Sequence, residues 1–281
     1  MNQFNYYFNF FKKSLTGSKK YPFGFSIAVV TYNRCRFLQK NIQSILSATE
    51  LPFELIVWDN NSTDDTPAVV REFIAAGAPV TYLRCRRNIG TNGYARAFLT
   101  ARFSYLVEAD DDVLAVSKGW DREMDRAFKT IPRLGYCALD VVQDRFTNGA
   151  KPRAHAYQEN VYGGIKLLEG PTGGWFAGTT RRIYNRVGGF IYRPSKPFRA
   201  EDGNYCRKMR IAGYRYGILK GAYVYHACGQ KWNAAFGYNK VWKEKYSLDH
   251  PSFIDLVDNV SPEDLPDMAV PENAMQDALR A

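Results

Sequence analysis

From Phe25 onward, short apolar runs alternate with longer amphipathic stretches. Residues 26–31 (SIAVVT) are apolar and rich in β-branched side chains, the pattern of a parallel strand buried on both faces. Leu38, Ile42, Ile45 and Leu46 then recur at helical spacing, and residues 54–58 (ELIVW) read as a second strand. Pro67 sits where a first-turn proline belongs, opening a helix that Gly77 closes. Residues 80–84 form a third strand, 92–103 a helix and 104–108 (SYLVE) a fourth strand. This alternation predicts an α/β fold built on a Rossmann-like, mostly parallel central sheet with helices on both faces. Further on, one helix is expected from near Thr179 or Thr180, and another from about 202 to 212, stopped by Gly213.

Sheets of this kind bind ligands at the carboxyl ends of their strands. Thr31, Tyr32, Asn33 and Arg34 follow the first strand, Asp59 the second, RNIGTNGYARA the third and EADDDV the fourth. Helix capping accounts for part of this polarity, and Asn33 and Thr63 read as caps. Asp110, Asp111 and Asp112 are more informative. Adjacent carboxylates repel unless a cation or a helix terminus compensates them. Alternating side-chain directions let Asp110 and Asp112 face one site while Asp111 turns away. A hard cation, Mn²⁺ or Mg²⁺, takes one or two carboxylates and leaves positions for substrate phosphates. The EF-hand loop, GxGxxG and GxxxxGK[ST] are all missing.

The second half adds candidates with two readings each. Glu201 and Asp202 stand at a predicted helix start, which suits acids electrostatically and also suits a general base. Gly174 and Trp175, in GGWFAG, fit a sugar-binding wall or a tight turn. His226, in YVYHACG, is either a structural histidine or a further metal ligand. His155 and His250 have no supporting context.

Composition narrows the class. With 281 residues, 46% hydrophobic and 23% charged, the chain reads as a packed globular protein rather than a disordered, coiled-coil or fibrous one. No apolar run approaches the ~18–20 residues of a membrane-spanning helix. Five scattered cysteines without a CxxC pair point to a reducing, cytoplasmic compartment. Residues 251–281 carry seven acids against Arg280 alone, so residues 1–250 hold +16 of the overall +10 charge. A body this basic implies an anionic partner: phosphates, nucleic acid or an acidic membrane surface. Residues 1–22 set Phe4, Tyr7, Phe8, Phe10 and Phe11 beside Lys12, Lys13, Lys19 and Lys20, which fits either a peripheral helix at the inner membrane face or one packed on the domain. The expected organisation is thus an aromatic and basic segment (1–22), a catalytic domain (23–250) and an acidic tail (251–281). Pro262, Pro266 and Pro271 argue against a continuous helix in that tail.

Taken in order, SIAVVTYNRCRFLQKNIQSIL, ELIVWDNNSTDDT, RNIGTNGYARAF, YLVEADDDV and AEDGNYCRKMRIAGYRYGI resemble the family 2 glycosyltransferases of the GT-A fold. The resemblance runs over about residues 25–229. It implies an inverting, metal-dependent enzyme using a nucleoside-diphosphate sugar, with a UDP-sugar favoured. Thr31 and Tyr32 would border the base, with Arg34 also on the nucleotide side. Asp59 would accept the base's imide N–H, Arg96 would approach the diphosphate and Asp111 the ribose. Asp110 and Asp112 would form the DXD motif, with Asp112 the more direct ligand. Asp202 would be the base, with Glu201 supporting it. The implied acceptor is a glycan or lipid-linked saccharide in cell-surface polysaccharide biosynthesis.

Three rival readings fit the sequence less well. A sugar-nucleotide nucleotidyltransferase would carry a GxGxR-type loop where VVTYNR stands. A non-catalytic module would have no use for both the triplet and Asp202. A protein or nucleic-acid acceptor fits the +16 body, but no nucleic-acid motif accompanies it.

Overall fold

In a computed structural model of the chain, the described residues are 20–147, 151–192, 201–239, 261, 265–267 and 269–280. Strands β1 (Phe25–Thr31), β2 (Phe53–Asp59), β3 (Val80–Arg84) and β4 (Tyr105–Asp110) alternate with helices α1 (Cys35–Ala48), α2 (Thr66–Ala75) and α3 (Asn92–Ala97). Then come β5 (Val113–Val116), α4 (Trp120–Thr130), β6 (Leu134–Val142), β7 (Gln158–Tyr162), β8 (Ile165–Glu169) and β9 (Phe176–Thr180). The described chain continues through α5 (Arg181–Arg186), α6 (Glu201–Ile211), β10 (Arg215–His226), α7 (Gln230–Phe236) and α8 (Val270–Arg280).

One sheet runs β3-β2-β1-β4-β9-β6-β10-β8-β7, with β5 added on β10. The β3-β2-β1-β4 half is parallel. Its strands β1, β2 and β4 are almost continuously buried, as the apolar runs require. β9 then joins antiparallel to both β4 and β6, and β10 lies parallel to β6. Chain order reverses between β1 and β4, which opens a crevice at the carboxyl ends of those strands. Val30 pairs with Asp110, so Thr31 and the triplet emerge side by side.

Two expected boundaries move. The helix predicted over 92–103 ends at Ala97. Residues 101–103 are instead held by tertiary partners. The Arg102 and Phe103 N–H groups donate to Ser26 Oγ at 3.1 and 3.0 Å, and Arg102 N–H also donates to Glu54 Oε1 at 2.6 Å. The Arg181 guanidinium bonds the Ala101 and Phe103 carbonyls. A backbone whose donors and acceptors are captured this way cannot also complete a helical ladder. Strand β4, for its part, runs past Glu108 to Asp110, so the first aspartate still belongs to the sheet.

The acidic tail ends in α8, which packs on β10, β5 and β6 and buries Pro271 and Met275. Pro271 lies in the first turn, where its missing N–H costs no helical hydrogen bond. Among the described residues, no helix is long and apolar enough to cross a membrane. Residues 1–19 of the aromatic and lysine-rich segment lie outside the described residues.

Candidate active site

The crevice between β1 and β4 collects charges from four parts of the chain. Asp110, Asp112 and His226 offer ligand atoms that all lie within 4.8 Å of one another. His226 Nε2 is 3.0 Å from Asp112 Oδ1 and 3.4 Å from Asp110 Oδ2. β5 makes this possible. It turns back after the triplet and pairs antiparallel with the end of β10, setting His226 against Val113. Two carboxylates and one imidazole suit a divalent cation such as Mn²⁺ or Mg²⁺.

Arg34 closes the other side. Its guanidinium donates to Asp111 Oδ1 at 2.6 Å and to Asp112 Oδ2 at 2.8 Å, and stacks over Phe37 at 4.5 Å. Burial alone would weaken its charge, but Asp111 and Asp112 keep it firmly protonated. His226 follows the same logic. Desolvation lowers its affinity for a proton, yet Cys228 and Asp112 hold it well above the usual histidine value. Arg34 therefore offsets part of the charge of Asp111 and Asp112. Asp111 also accepts from Thr31 Oγ1 at 2.8 Å, so both its oxygens are engaged.

The turn itself is clamped from α1. The fully buried Asn41 donates through Nδ2 to the Asp110 carbonyl at 3.1 Å and the Val113 carbonyl at 3.0 Å. Tyr94 OH lies 2.9 Å from the Ala109 carbonyl and 3.2 Å from Asp110 Oδ1. Groups that orient ligands from behind commonly govern metal affinity. Asn41→Ala is expected to weaken Mn²⁺ binding by about tenfold, read by calorimetric titration. An unchanged affinity would show that the turn holds its shape without the clamp.

Glu201 and Asp202 open α6, as anticipated, and reach the same site. Asp202 Oδ2 accepts from Gly174 N–H at 3.2 Å and its Oδ1 from Gly203 N–H at 2.5 Å. Burial, then Asp202 beside it, push Glu201 up to about 7. Burial raises Asp202 as well. Beneath them lies Glu108, almost fully buried, accepting from Tyr136 OH and pushed well above the carboxylate range by burial and by Glu201. A Cβ on Gly174 would come within 3.0 Å of the Glu108 carboxyl carbon. A larger residue there would make the Glu108 carboxyl give by a few tenths of an ångström, while the glycine lets the backbone lie over Glu108 and point its N–H at Asp202.

Several expected roles need correction. Trp175 is not a sugar wall. It is buried, its Nε1 donates to the Leu139 carbonyl at 2.9 Å, and its ring backs His226 at 6.5 Å. Gly174 contributes a backbone N–H rather than an open wall. Asn33 and Thr63 are not caps: Asn33 Oδ1 accepts from the Thr63 N–H at 2.7 Å, tying two loops together. The N–H of Cys35, at the start of α1, donates instead to Asp64 Oδ2 at 3.0 Å.

Other residues lie as follows. Asp59 is fully buried, accepting from Ser62 N–H at 2.7 Å and from Tyr82 OH, with Arg84 Nε at 3.7 Å. With no exposed surface, its carboxylate is closed to the hydrogen bond from the base that the sequence led one to expect. Tyr32 is half-buried beside Thr31, and Arg96 stacks on Tyr192 at 4.8 Å. Sequence reasoning passed over Glu108, Asn41 and Tyr94. An acid two residues ahead of the triplet, on the same strand face, was the one available signal.

An α/β sheet whose strand ends gather an Asp-Asp-His cluster and a second acidic pair defines a GT-A type protein, and solved structures agree on the fold. The mannosyltransferase PcManGT from Pyrobaculum calidifontis, in complex with GDP-Man and Mn²⁺, superposes with a TM-score of 0.57 at 18% identity, covering 98% of this chain and 76% of that one. GalNAc-T7 with UDP, GalNAc and Mn²⁺ gives 0.57 at 15% identity, over 93% of this chain and 55% of that one. S. aureus TarS 1–349 gives 0.54 at 16%, over 91% and 80%. The Glycosyl transferase family 2 profile matches residues 26–188, more than half the chain. The protein belongs to that family. Galactofuranosyltransferase GlfT1 from two Mycobacterium tuberculosis strains (CDC 1551 / Oshkosh and H37Rv) is 41% identical over 90 residues, 30% of this chain. That match spans 29% of the relatives' own length.

Proposed function

We propose that this protein is an inverting, metal-dependent glycosyltransferase that moves a sugar from a nucleoside-diphosphate sugar to an acceptor hydroxyl. The convergence of Asp110, Asp112 and His226 with Asp202 at one crevice carries this reading. Asp110, Asp112 and His226 would hold Mn²⁺ or Mg²⁺, which offsets the charge of the departing diphosphate. Thr31 and Tyr32 would border the base, and the fully buried Asp59, under Tyr82 and Arg84, would brace the loop behind them. Arg34 and Arg96 supply cations on the phosphate side, and Asp111 borders the ribose.

Asp202 would take the proton from the acceptor hydroxyl as that oxygen bonds to the anomeric carbon. The bond from that carbon to the diphosphate oxygen breaks on the opposite face, its electron pair leaving with the nucleotide, so the anomeric configuration inverts. The proposed acceptor is a hydroxyl of a glycan or lipid-linked saccharide. Polysaccharide biosynthesis at the inner membrane face is the corresponding setting.

The test is hydrolysis of a donor panel with and without Mn²⁺, including UDP-linked galactofuranose, UDP-GalNAc and GDP-mannose. Metal-dependent release of one nucleoside diphosphate is the expected result. Intact donors throughout, together with no nucleotide binding by calorimetry, would leave a non-catalytic module.

The acidic pair also sets a pH dependence. Asp202 must be ionised to accept a proton, and its pair titrates upward, with Glu201 at about 7. Transfer is expected to fall as pH drops toward the raised range of Asp202. Glu201, pushed up to about 7, is already neutral where Asp202 takes its proton, so Glu201→Gln is expected to leave the acidic limb of the kcat/KM profile in place. A limb that moves down would mean that Glu201 is ionised beside the base and raises it.

A further inference from the structure

Residues 181–192 and 203–217 contain seven lysines and arginines and not one acid. They take in α5 and nearly all of α6, whose only acids, Glu201 and Asp202, stand in its first turn at the crevice. The two helices adjoin. Tyr184 of α5 packs on Tyr205 of α6 with ring centroids 6.0 Å apart, and Phe190 packs on both rings. Lys208 Nζ of α6 donates to the Gly188 carbonyl at 3.2 Å and also to that of Gly189, which ties α6 to the end of α5. Arg186 is two residues from Gly188, and Arg207 and Arg210 flank Lys208.

Arg182 and Arg186 recur at i and i+4 on α5, and Arg207, Arg210 and Ile211 at i, i+3 and i+4 on α6, so each set shares one helical face. On α6 that face lies away from the buried Tyr205, Cys206 and Met209. All four arginines are exposed, and none makes a hydrogen bond or ion pair with another described residue. Lys151 and Lys220, by contrast, are engaged by the buried Asp140 at 2.5 and 2.6 Å. Apolar side chains stand among the free arginines. Ile211 is 73% exposed, and Leu99, next to the Phe98 that packs on Tyr184, is 55% exposed. The chain also enters the domain here, because Arg181, the first residue of α5, stacks over Tyr21 at 4.1 Å. Ahead of Tyr21 runs the aromatic and lysine-rich segment.

We infer that the outer faces of α5 and α6 dock this protein on an anionic lipid surface, with Arg182, Arg186, Arg207 and Arg210 meeting the headgroup phosphates. Its purpose rests on the transferase reading above. Asp202 lies about 8–12 Å along the axis of α6 from Arg207 and Arg210, so docking brings a lipid-linked acceptor to the proposed base. Arginines with no internal partner are free to meet phosphates, and each one near an anionic bilayer strengthens binding roughly fivefold. Exposed aliphatic side chains among them suit a lipid surface, whereas a nucleic acid is gripped through aromatic stacking on its bases. The surface gives the +16 body a specific anionic partner.

The test is co-sedimentation of the full chain, in EDTA and without donor, with vesicles of phosphatidylglycerol and phosphatidylcholine and with vesicles of phosphatidylcholine alone. Binding is expected to the anionic vesicles only, and high salt should release it. Arg207→Gln combined with Arg210→Gln is expected to weaken it about twentyfold, and Arg182→Gln combined with Arg186→Gln to the same extent. Arg122→Gln combined with Arg126→Gln removes equal charge from α4 and is expected to change it by less than about twofold. Circular dichroism establishes that each variant is folded, and the α5 and α6 pairs are independent of each other. The proposal is overturned by absent binding, by equal binding to both kinds of vesicle, by unaltered binding in both the α5 and α6 variants, by an equal loss in the α4 variant, or by tighter binding to nucleic acid than to anionic vesicles. Donor hydrolysis needs no vesicle. A chain that hydrolyses donor but ignores vesicles loses this proposal alone, and one that binds vesicles but leaves every donor intact loses only the transferase reading.

Discussion

Asp112→Asn is expected to abolish metal-dependent release of nucleoside diphosphate, lowering turnover by about a thousandfold, or roughly 4 kcal/mol of barrier. Asp112 is the meeting point of the cluster. One of its oxygens lies 3.0 Å from His226 and the other accepts from Arg34 at 2.8 Å. An amide keeps the shape but removes the charge a divalent cation needs. Two measurements separate the possible causes: Mn²⁺ affinity by calorimetry, and turnover at saturating Mn²⁺. Weakened metal binding together with lost turnover is the expected pair. Wild-type turnover at moderate Mn²⁺ would remove Asp112 from the metal site and leave its bond to Arg34 as its main role.

Asp202→Asn is expected to cost about 10³-fold in turnover while leaving metal and nucleotide binding intact. Asn retains one oxygen to accept the Gly174 N–H and gives up the bond from the Gly203 N–H, so the loop over Glu108 should keep its form. What disappears is the ability to take a proton. Acceptor transfer and slow donor hydrolysis should both fall, because each needs a proton removed from the attacking hydroxyl. The informative contrast is with Asp112→Asn, which should lose metal affinity as well. Equal turnover in Asp202→Asn and the parent chain would shift the base role to Glu201, the neighbouring carboxyl at the start of α6.

The parallel half of the sheet was legible because a strand buried on both faces must be written as an uninterrupted apolar run. SIAVVT and ELIVW say so without help from the rest of the chain. The triplet was legible for the opposite reason: three adjacent carboxylates at a strand end demand compensation, so they announce a cation. The compensating groups were harder to place. Arg34 reads as a nucleotide contact from its position after β1, yet it bridges Asp111 and Asp112, some 77 residues away. Trp175 reads as an exposed aromatic beside glycines, and it is buried behind His226.

Local pattern was thus enough for the first four strands and the helices between them, for which of those strand ends bear polar groups, and for the presence of an acidic cluster. Those features depend on periodicity and on neighbours within a few residues. Side-chain partners depend on strand order, which inserts β9 between β4 and β6 and brings β10 back to β5. That packing, rather than any motif, puts His226 beside Asp112, Glu108 beneath Gly174 and Lys151 with Lys220 on Asp140. Distances of about 3 Å between residues far apart in the chain arise only when the whole core closes around them.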